Sequence, residues 1–282
     1  MKKILITGAN GFVGKNLLKV INEKELEVIK INSKDGDLTK VTTWANFDSC
    51  EYMVHLAAKT FVPYSWENPT EFIRNNVLST TNALEFCKKN NTKLILLSSY
   101  MYGNPKVLPT PETHRISVNN PYGLSKLIAE EICNFYYKCM NTNSIILRVF
   151  NLFGPYQPQN FLISQIINQI KDKNKISVSN LSTKRDYLYI DDLSSAIIKS
   201  LNYEGQHRIF NIGMGVSYSV EDIIKILQKS FNSNLTIENK NIPRKMEILE
   251  TIADITLAKE ELQWYPKYNF AEGIEALMNE LR

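Results

Sequence analysis

Tyr122-Gly-Leu-Ser-Lys126 sets a phenol and an ammonium group four residues apart. On a helix that spacing brings both to one face. A cation beside a phenol favours the phenolate, so the pair predicts a Tyr122 pKa drawn down toward neutrality. Such a phenol can give or take a proton while a hydride moves at a neighbouring carbon. Exposed helices often carry the same spelling by chance, and position distinguishes this one. The pair lies well after a glycine-rich segment and soon after a strand ending in Ser98-Ser99-Tyr100.

The glycine-rich segment is Ile4-Leu-Ile-Thr-Gly-Ala-Asn-Gly-Phe-Val-Gly14. Ile4, Leu5 and Ile6 read as a buried strand, and Leu17, Leu18 and Ile21 recur at helical spacing. Strand, glycine turn and helix together give such glycines meaning. The turn runs from Gly8 through Asn10, Gly11, Phe12 and Val13 to Gly14. It lets backbone N–H groups approach a diphosphate, with the positive end of a helix behind them. A dinucleotide site is the prediction. Leu26–Ile31 reads as the second strand, and Asn32, Ser33 and Lys34 follow it. An acid at that tip would accept hydrogen bonds from the adenosine ribose and repel a 2′-phosphate. None is present, so charge favours NADP(H) and leaves NAD(H) open. Asp35 and Asp37 lie near enough to weaken the preference.

The elements that must position these groups alternate. Strands are predicted at 52–58, 93–97 and 144–150, a long helix at 70–90, and another from near Tyr122. Residues 61–69 and 105–121, rich in proline, read as loops. Gly154-Pro155 and Pro158 mark a break, after which helices are predicted at 161–170, 219–231 and 255–262. Strands are predicted at 185–190 and 210–213, with Asp191-Asp192 suited to capping the helix between them. The alternation predicts an α/β fold, a Rossmann-type doubly wound parallel sheet over 1–150. A smaller C-terminal α/β domain over 151–282 is expected to pack against it, with about 184–212 returning to the first. The chain has 282 residues and a dispersed net charge of +4, which argues for no nucleic acid and no membrane surface but suits a small anionic substrate. The N-terminal apolar run is too short for a signal peptide, so a cytoplasmic location is expected. The four cysteines form no CxxC pair and His55, His114 and His207 are dispersed, so no metal is expected.

These motifs, taken in order, resemble the extended short-chain dehydrogenase/reductases, the NAD-dependent epimerase/dehydratase family that acts on nucleotide sugars. The matching pieces are Thr7–Gly14, His55-Leu56-Ala57-Ala58, Asn76-Val77, Ser98 with Tyr102-Gly103, Pro121–Lys126 and Arg148-Val-Phe-Asn151. Arg185-Asp-Tyr-Leu-Tyr-Ile-Asp-Asp192, Phe210-Asn-Ile-Gly213 and Arg244 before Ala253-Asp254 complete the set. The resemblance implies that Ser98 bonds the reacting sugar oxygen, Tyr122 is the acid–base residue, and Lys126 holds the nicotinamide ribose. It adds Asp37, Leu38, Leu56, Ala57, Ala58 and Asn76 to the coenzyme side. It places Ser99, Tyr100, Asn151, Asn160, Arg185 and Arg244 on the side of the nucleotide-diphosphate sugar. A homodimer is expected, because the helix carrying Tyr122 has more apolar surface than one core stripe needs: Leu127, Ile128, Ile132, Phe135, Tyr136 and Cys139.

Departures from the pattern narrow the reaction. Dehydratases of the family carry an Asp-Glu pair where this chain has Ser99 and Tyr100, neither of them a carboxylic acid. Bifunctional epimerase-reductases carry a cysteine at the position of Tyr100 and a histidine in the substrate domain, yet no histidine lies between His114 and His207. The family's Arg-Pro-Gly is here Arg244-Lys245-Met246. What remains is a 4-ketoreductase, which compact length and Asn32-Ser33-Lys34 favour, or a 4-epimerase with tightly held NAD. A non-catalytic NAD(P)-sensing protein is the remote third reading, disfavoured because Ser98, Tyr122 and Lys126 are all present.

Overall fold

Strand β1 (Lys2–Thr7) alternates its side chains between two cores, Ile4 and Ile6 facing one and Leu5 the other. The structure, a computed structural model, describes residues 1–21, 25–173, 175–242 and 245–281. The glycine turn leads from β1 into α1 (Phe12–Val20), and β2 (Leu26–Ile31) follows. A short α2 (Val41–Trp44) precedes β3 (Tyr52–His55). Then come α3 (Val62–Glu67), α4 (Pro69–Phe72), a π turn (Ile73–Val77) and α5 (Leu78–Asn90). β4 (Lys93–Ser99), α6 (Pro121–Met140) and β5 (Ser144–Val149) carry the Ser98 and Tyr122 segments.

All neighbours in the main sheet are parallel, in the order β2-β1-β3-β4-β5-β9, where β9 is Ile209–Ile212. The order reverses at β1, and open sheets of this kind bind ligands outside the carboxyl ends of the strands at such a reversal. One face packs on α1 and on α8 (Ile190–Leu201), through Leu17, Leu193 and Ile197; the other packs on α5 and α6 through Leu84, Ala129 and Cys133. The fold is therefore the doubly wound α/β sheet that the alternation predicts.

The remaining elements are β6 (Asn151–Phe153), α7 (Leu162–Lys171), β7 (Ile176–Val178), β8 (Lys184–Tyr189), β10 (Ser217–Ser219), α9 (Val220–Ser230), β11 (Ile237–Asn239), α10 (Thr256–Glu261) and α11 (Phe270–Leu281). β8 sits between β10 and β6 in a three-stranded sheet, and β7 pairs with β11. Of the stretch 184–212, β9 thus lies in the main sheet and β8 in the smaller one. The core that buries Ile4 and Phe210 runs without a break to Phe153, Trp264 and Phe270.

Four local expectations are corrected. Residues 61–69 are not a plain loop: Pro63 and Pro69 sit in the first turns of α3 and α4, where a missing N–H costs little. The helix expected at 70–90 is interrupted by the π turn. Tyr189, not an aspartate, is the N-cap of α8, and Asp192 instead accepts from the backbone N–H groups of Lys267 and Tyr268 at 2.8 and 3.2 Å. α11 was not expected, although Phe270, Ile274 and Leu277 are buried along one stripe.

Phe153 is fully buried between the rings of Phe270 and Tyr189, with centroids 4.9 and 5.5 Å away. Phe153→Ala is predicted to cost about 3–5 kcal/mol through cavity formation, read as a fall in denaturant midpoint in urea unfolding.

Candidate active site

The turn after β1 is shaped for close backbone approach. Gly8 has φ 69°, and a Cβ there would lie 3.0 Å from the backbone nitrogen of Ala57. A Cβ on Gly14 would lie 2.5 Å from the carbonyl oxygens of both Gly8 and Ala9. Gly11 caps α1 with no side-chain acceptor, so the first N–H groups of that helix are left for an anion. Phe12 and Val13 pack partly on the core beneath. The residues present fit a dinucleotide diphosphate.

Thr7 ties this turn to the end of β3. Its Oγ1 accepts from the N–H groups of Leu56 and Ala57, both at 3.2 Å, and lies 2.9 Å from His55 Nδ1. His55 is held neutral by burial, with Lys126 adding to the effect, its pKa lowered to about 3. Ala58 follows, half-buried. Asn76 is buried in the π turn; its amide bonds the backbone of Lys59 at 2.8 and 3.0 Å and Ser125 Oγ at 2.9 Å. It thereby braces the loop after β3 against α6.

At the tip of β2, Asn32 Oδ1 accepts from the Asn10 N–H at 2.9 Å, closing the glycine turn. Asp35 is exposed, its carboxylate accepting from the Asn32 N–H at 2.7 Å. Ser33 and Lys34 are exposed beside it. Asp37 accepts from the Thr39 N–H and hydroxyl at 2.9 and 2.8 Å, which hold its pKa low, and lies 3.8 Å from Arg74. The Leu38 carbonyl accepts from Trp44 Nε1 and Asn82 Nδ2 at 2.9 and 3.0 Å.

α6 starts where its sequence dictates. Asn120 caps it by accepting from the Gly123 N–H at 2.8 Å, and Pro121 occupies the first turn. Tyr122 and Lys126 therefore stand one turn apart at its start. The Lys126 ammonium donates to the Leu97 carbonyl at 2.7 Å, beside Ser98. Ser98 is 5% exposed, and its Oγ is a buried polar atom with no partner among the described residues. The Tyr122 hydroxyl lies near Ser99.

The predicted electrostatics of the pair are corrected. Burial pushes the Tyr122 phenol up to about 12, with the Ser99 hydrogen bond pulling the other way. Burial likewise lowers Lys126 to about 8, offset in part by Glu130. Desolvation penalises both charged forms and outweighs the attraction that helix spacing alone suggests.

Below Lys126, a polar network crosses the core. Glu130 takes Arg148 Nε at 3.1 Å on both oxygens and Nη2 at 2.7 Å. Arg148 Nη1 donates to Tyr102 Oη and the Glu112 carbonyl at 3.1 Å each, and Tyr102 Oη donates to Asn211 at 2.6 Å. Glu130 carries one sequence signal, its spacing of four from Lys126, which places it on the same helix face.

On the substrate side, the structure joins Tyr100 to Asn151, hydroxyl to amide oxygen at 3.1 Å, and stacks Tyr100 on Phe150. Arg185 is half-buried, and among the described residues its guanidinium bonds only the carbonyls of Lys184 and Leu249. Its neighbour Asp186 is buried, accepting from the N–H groups of Met214, Gly215 and Ala253 at 2.7, 2.9 and 3.0 Å. Asn160 is exposed, and Arg244 lies outside the described residues. Two contacts were missed in the sequence: Phe61 on Phe161, and Lys245 over the Trp66 ring at 3.9 Å. Both couple sequence-distant loops, so local pattern carries no sign of them.

Residues 4–213 match the model of the NAD dependent epimerase/dehydratase family. The chain belongs to this family. A relative in Aggregatibacter actinomycetemcomitans, GDP-6-deoxy-D-talose 4-dehydrogenase, is 32% identical over 89% of this chain and 88% of its own length. UDP-glucose 4-epimerase of Yersinia enterocolitica is 30% identical over 96% and 95%. Among solved structures, UDP-glucose 4-epimerase of Thermotoga maritima with UDP-glucose superposes with a TM-score of 0.92 at 25% identity, covering 99% of this chain and 98% of that one. Epimerase/dehydratase relatives thus include both oxidoreductases and epimerases acting at C4.

If the exposed Lys34 faces a 2′-phosphate, Lys34→Glu will weaken NADPH binding by about tenfold or more while leaving NADH nearly unchanged, as measured by nucleotide fluorescence titration. Equal effects on both would assign Lys34 to solvent.

Proposed function

We propose that this protein reduces the C4 ketone of a nucleotide-diphosphate-linked 4-keto-6-deoxyhexose, with NADPH as reductant. The observation that carries the reading is Ser98 Oγ, a buried hydroxyl left without a partner beside the Tyr122 segment. Buried polar atoms are rarely left unpaired, and a substrate oxygen satisfies this one. When bound, the coenzyme supplies the hydride.

The chain's own residues do the rest. Ser98 holds the ketone oxygen. Tyr122, kept protonated by its raised pKa of about 12, is ready to donate to the alkoxide as it forms. Ser99, beside the Tyr122 hydroxyl, is placed to orient it. Lys126, anchored on the Leu97 carbonyl, faces the ribose side. Arg185, with no carboxylate partner among the described residues, offers its fork to the diphosphate. A protonated tyrosine suits the reductive direction, and the exposed Lys34 at the β2 tip offers a cation to a 2′-phosphate. A relative whose name places redox chemistry at C4 of a GDP-linked 6-deoxy sugar supports the same class. The second reading, a 4-epimerase with bound NAD, rests on relatives such as the Yersinia enzyme.

The two separate in one assay. NADPH oxidation in step with consumption of a dTDP-, CDP-, GDP- or UDP-linked 4-keto-6-deoxyhexose is expected. Interconversion of C4-epimeric sugars without net NADPH loss would establish the epimerase instead. Tyr122→Phe is expected to lower kcat by about 100-fold or more with NADPH affinity kept; retained turnover would remove Tyr122 from the chemistry.

We also propose a homodimer through α5 and α6. Thr81, Leu127, Ile128, Ile132 and Phe135 line an apolar groove there, and Phe135 is 52% exposed. A second copy of the same face is the self-complementary occupant. Light scattering is expected to give twice the 32.4 kDa chain mass, and Phe135→Glu to give the single mass. A monomeric wild type would refute the dimer.

A further inference from the structure

Lys126, Glu130 and Arg148 are three charged side chains buried in a row, at 6%, 1% and 5% exposure. Lys126 and Glu130 stand one turn apart on α6, and Arg148 reaches Glu130 from β5 with a two-pronged grip. A buried ion pair adds little net stability over apolar side chains of the same size, so stability alone does not account for its presence. We propose that Glu130, held in place by Arg148, is a positioning residue that keeps the Lys126 ammonium charged inside a dry catalytic site. The proposal rests on the reading that Lys126 serves the coenzyme and Tyr122.

Among the described residues, the surroundings offer no substitute anion. On α6 itself, Lys126 faces Tyr122 and Cys133, and burial pushes the Cys133 thiol far above neutrality. From β3 it meets neutral His55, and from β4 only the Leu97 carbonyl. The loop after β4 brings Tyr102 and Glu112; burial pushes Tyr102 up to about 12, and Glu112 carries its side chain to the Asn211 N–H. On α5, Glu85 bonds Tyr136 near the far end of α6, and on α4, Glu71 pairs with Lys59. Glu130 is therefore the anion placed to oppose the desolvation of Lys126, and Arg148 stops that carboxylate from turning to any other partner.

The sign follows. Removing the Glu130 charge leaves Lys126 with burial and a nearby guanidinium, both of which favour the neutral amine, so its deprotonation moves to lower pH. Removing the Arg148 charge instead leaves Glu130 facing Lys126 alone, so deprotonation moves to higher pH.

The test is the pH profile of NADPH affinity, followed by nucleotide fluorescence, and of kcat/KM wherever turnover is found. Wild type is expected to lose affinity on an alkaline limb near pH 8. Glu130→Gln should shift that limb down by about one pH unit or more, Arg148→Gln should shift it up, and Glu130→Asp should leave it close to wild type. Because the limb is read from coenzyme binding, it stands even if the ketosugar assay fails. Unshifted limbs in the two glutamine variants, or shifts of the same sign, would overturn the proposal. If circular dichroism shows one of them unfolded, the other decides by its sign. Loss of folding in both would assign the pair a purely structural role and equally overturn it.

Discussion

Three side chains that would each favour water, Lys126, Glu130 and Arg148, are buried side by side where α6 crosses β4 and β5. Their mutual satisfaction constrains the rest of the site. Arg148 is fixed by its place in β5, where it pairs in register with Ser98 of β4. Glu130 must meet it, which sets the rotation and height of α6. With α6 so placed, Lys126 arrives at the Leu97 carbonyl and Tyr122 at Ser99. Breaking one member would strand a charge in the core, a far larger penalty than the net value of the intact pair. Tyr102, Asn211 and Glu112 extend the same network to β9 and the loop after β4. The family motifs around Arg148, Tyr102 and Asn211 thus have one physical explanation, a single polar seam through the main sheet.

The coenzyme half of the cleft depends on a different constraint, close backbone approach. Gly8 lies against the chain at Leu56-Ala57, and Gly14 against the carbonyls of the preceding turn. Thr7 bridges β1 to the end of β3 at the point where the strand order reverses. Side chains at these glycines would push α1 away from the sheet and remove the N–H groups that a diphosphate needs. Seen this way, the seam and the cradle are independent: one positions acid–base groups by charge, the other positions an anion site by absence of bulk.

The sequence shows what is local. β1, its glycine turn and α1 follow from a short apolar run, glycine spacing and helical periodicity. The start of α6 follows from Asn120 and Pro121, and Tyr122 and Lys126 share a face by spacing alone. What escaped the sequence is set by distant partners. Asp192 looks like a cap until Lys267 and Tyr268 take its carboxylate. The π turn that aims Asn76 at Lys59 and Ser125 has no separate signature within a helical pattern. For Tyr122, spacing alone predicts the opposite sign of pKa shift, because it reports the neighbouring cation while only the fold reports the loss of water around both groups. Tyr100 could be recognised as not an acid, but its bond to Asn151 and its stack on Phe150 needed the structure.

The central claim is that Ser98, Tyr122 and Lys126 serve net hydride delivery to a sugar carbon rather than a reversible exchange at it. The most direct measurement uses NADPH deuterated at the transferring position, with a nucleotide-linked 4-keto-6-deoxyhexose as acceptor and the product read by NMR. The account predicts one deuterium at C4 of each product molecule and one NADPH oxidised for each. Labelled NADPH left unspent with no deuterium at C4, while C4-epimeric 4-hydroxy nucleotide sugars supplied instead interconvert with their own C4 hydrogen retained, would contradict it.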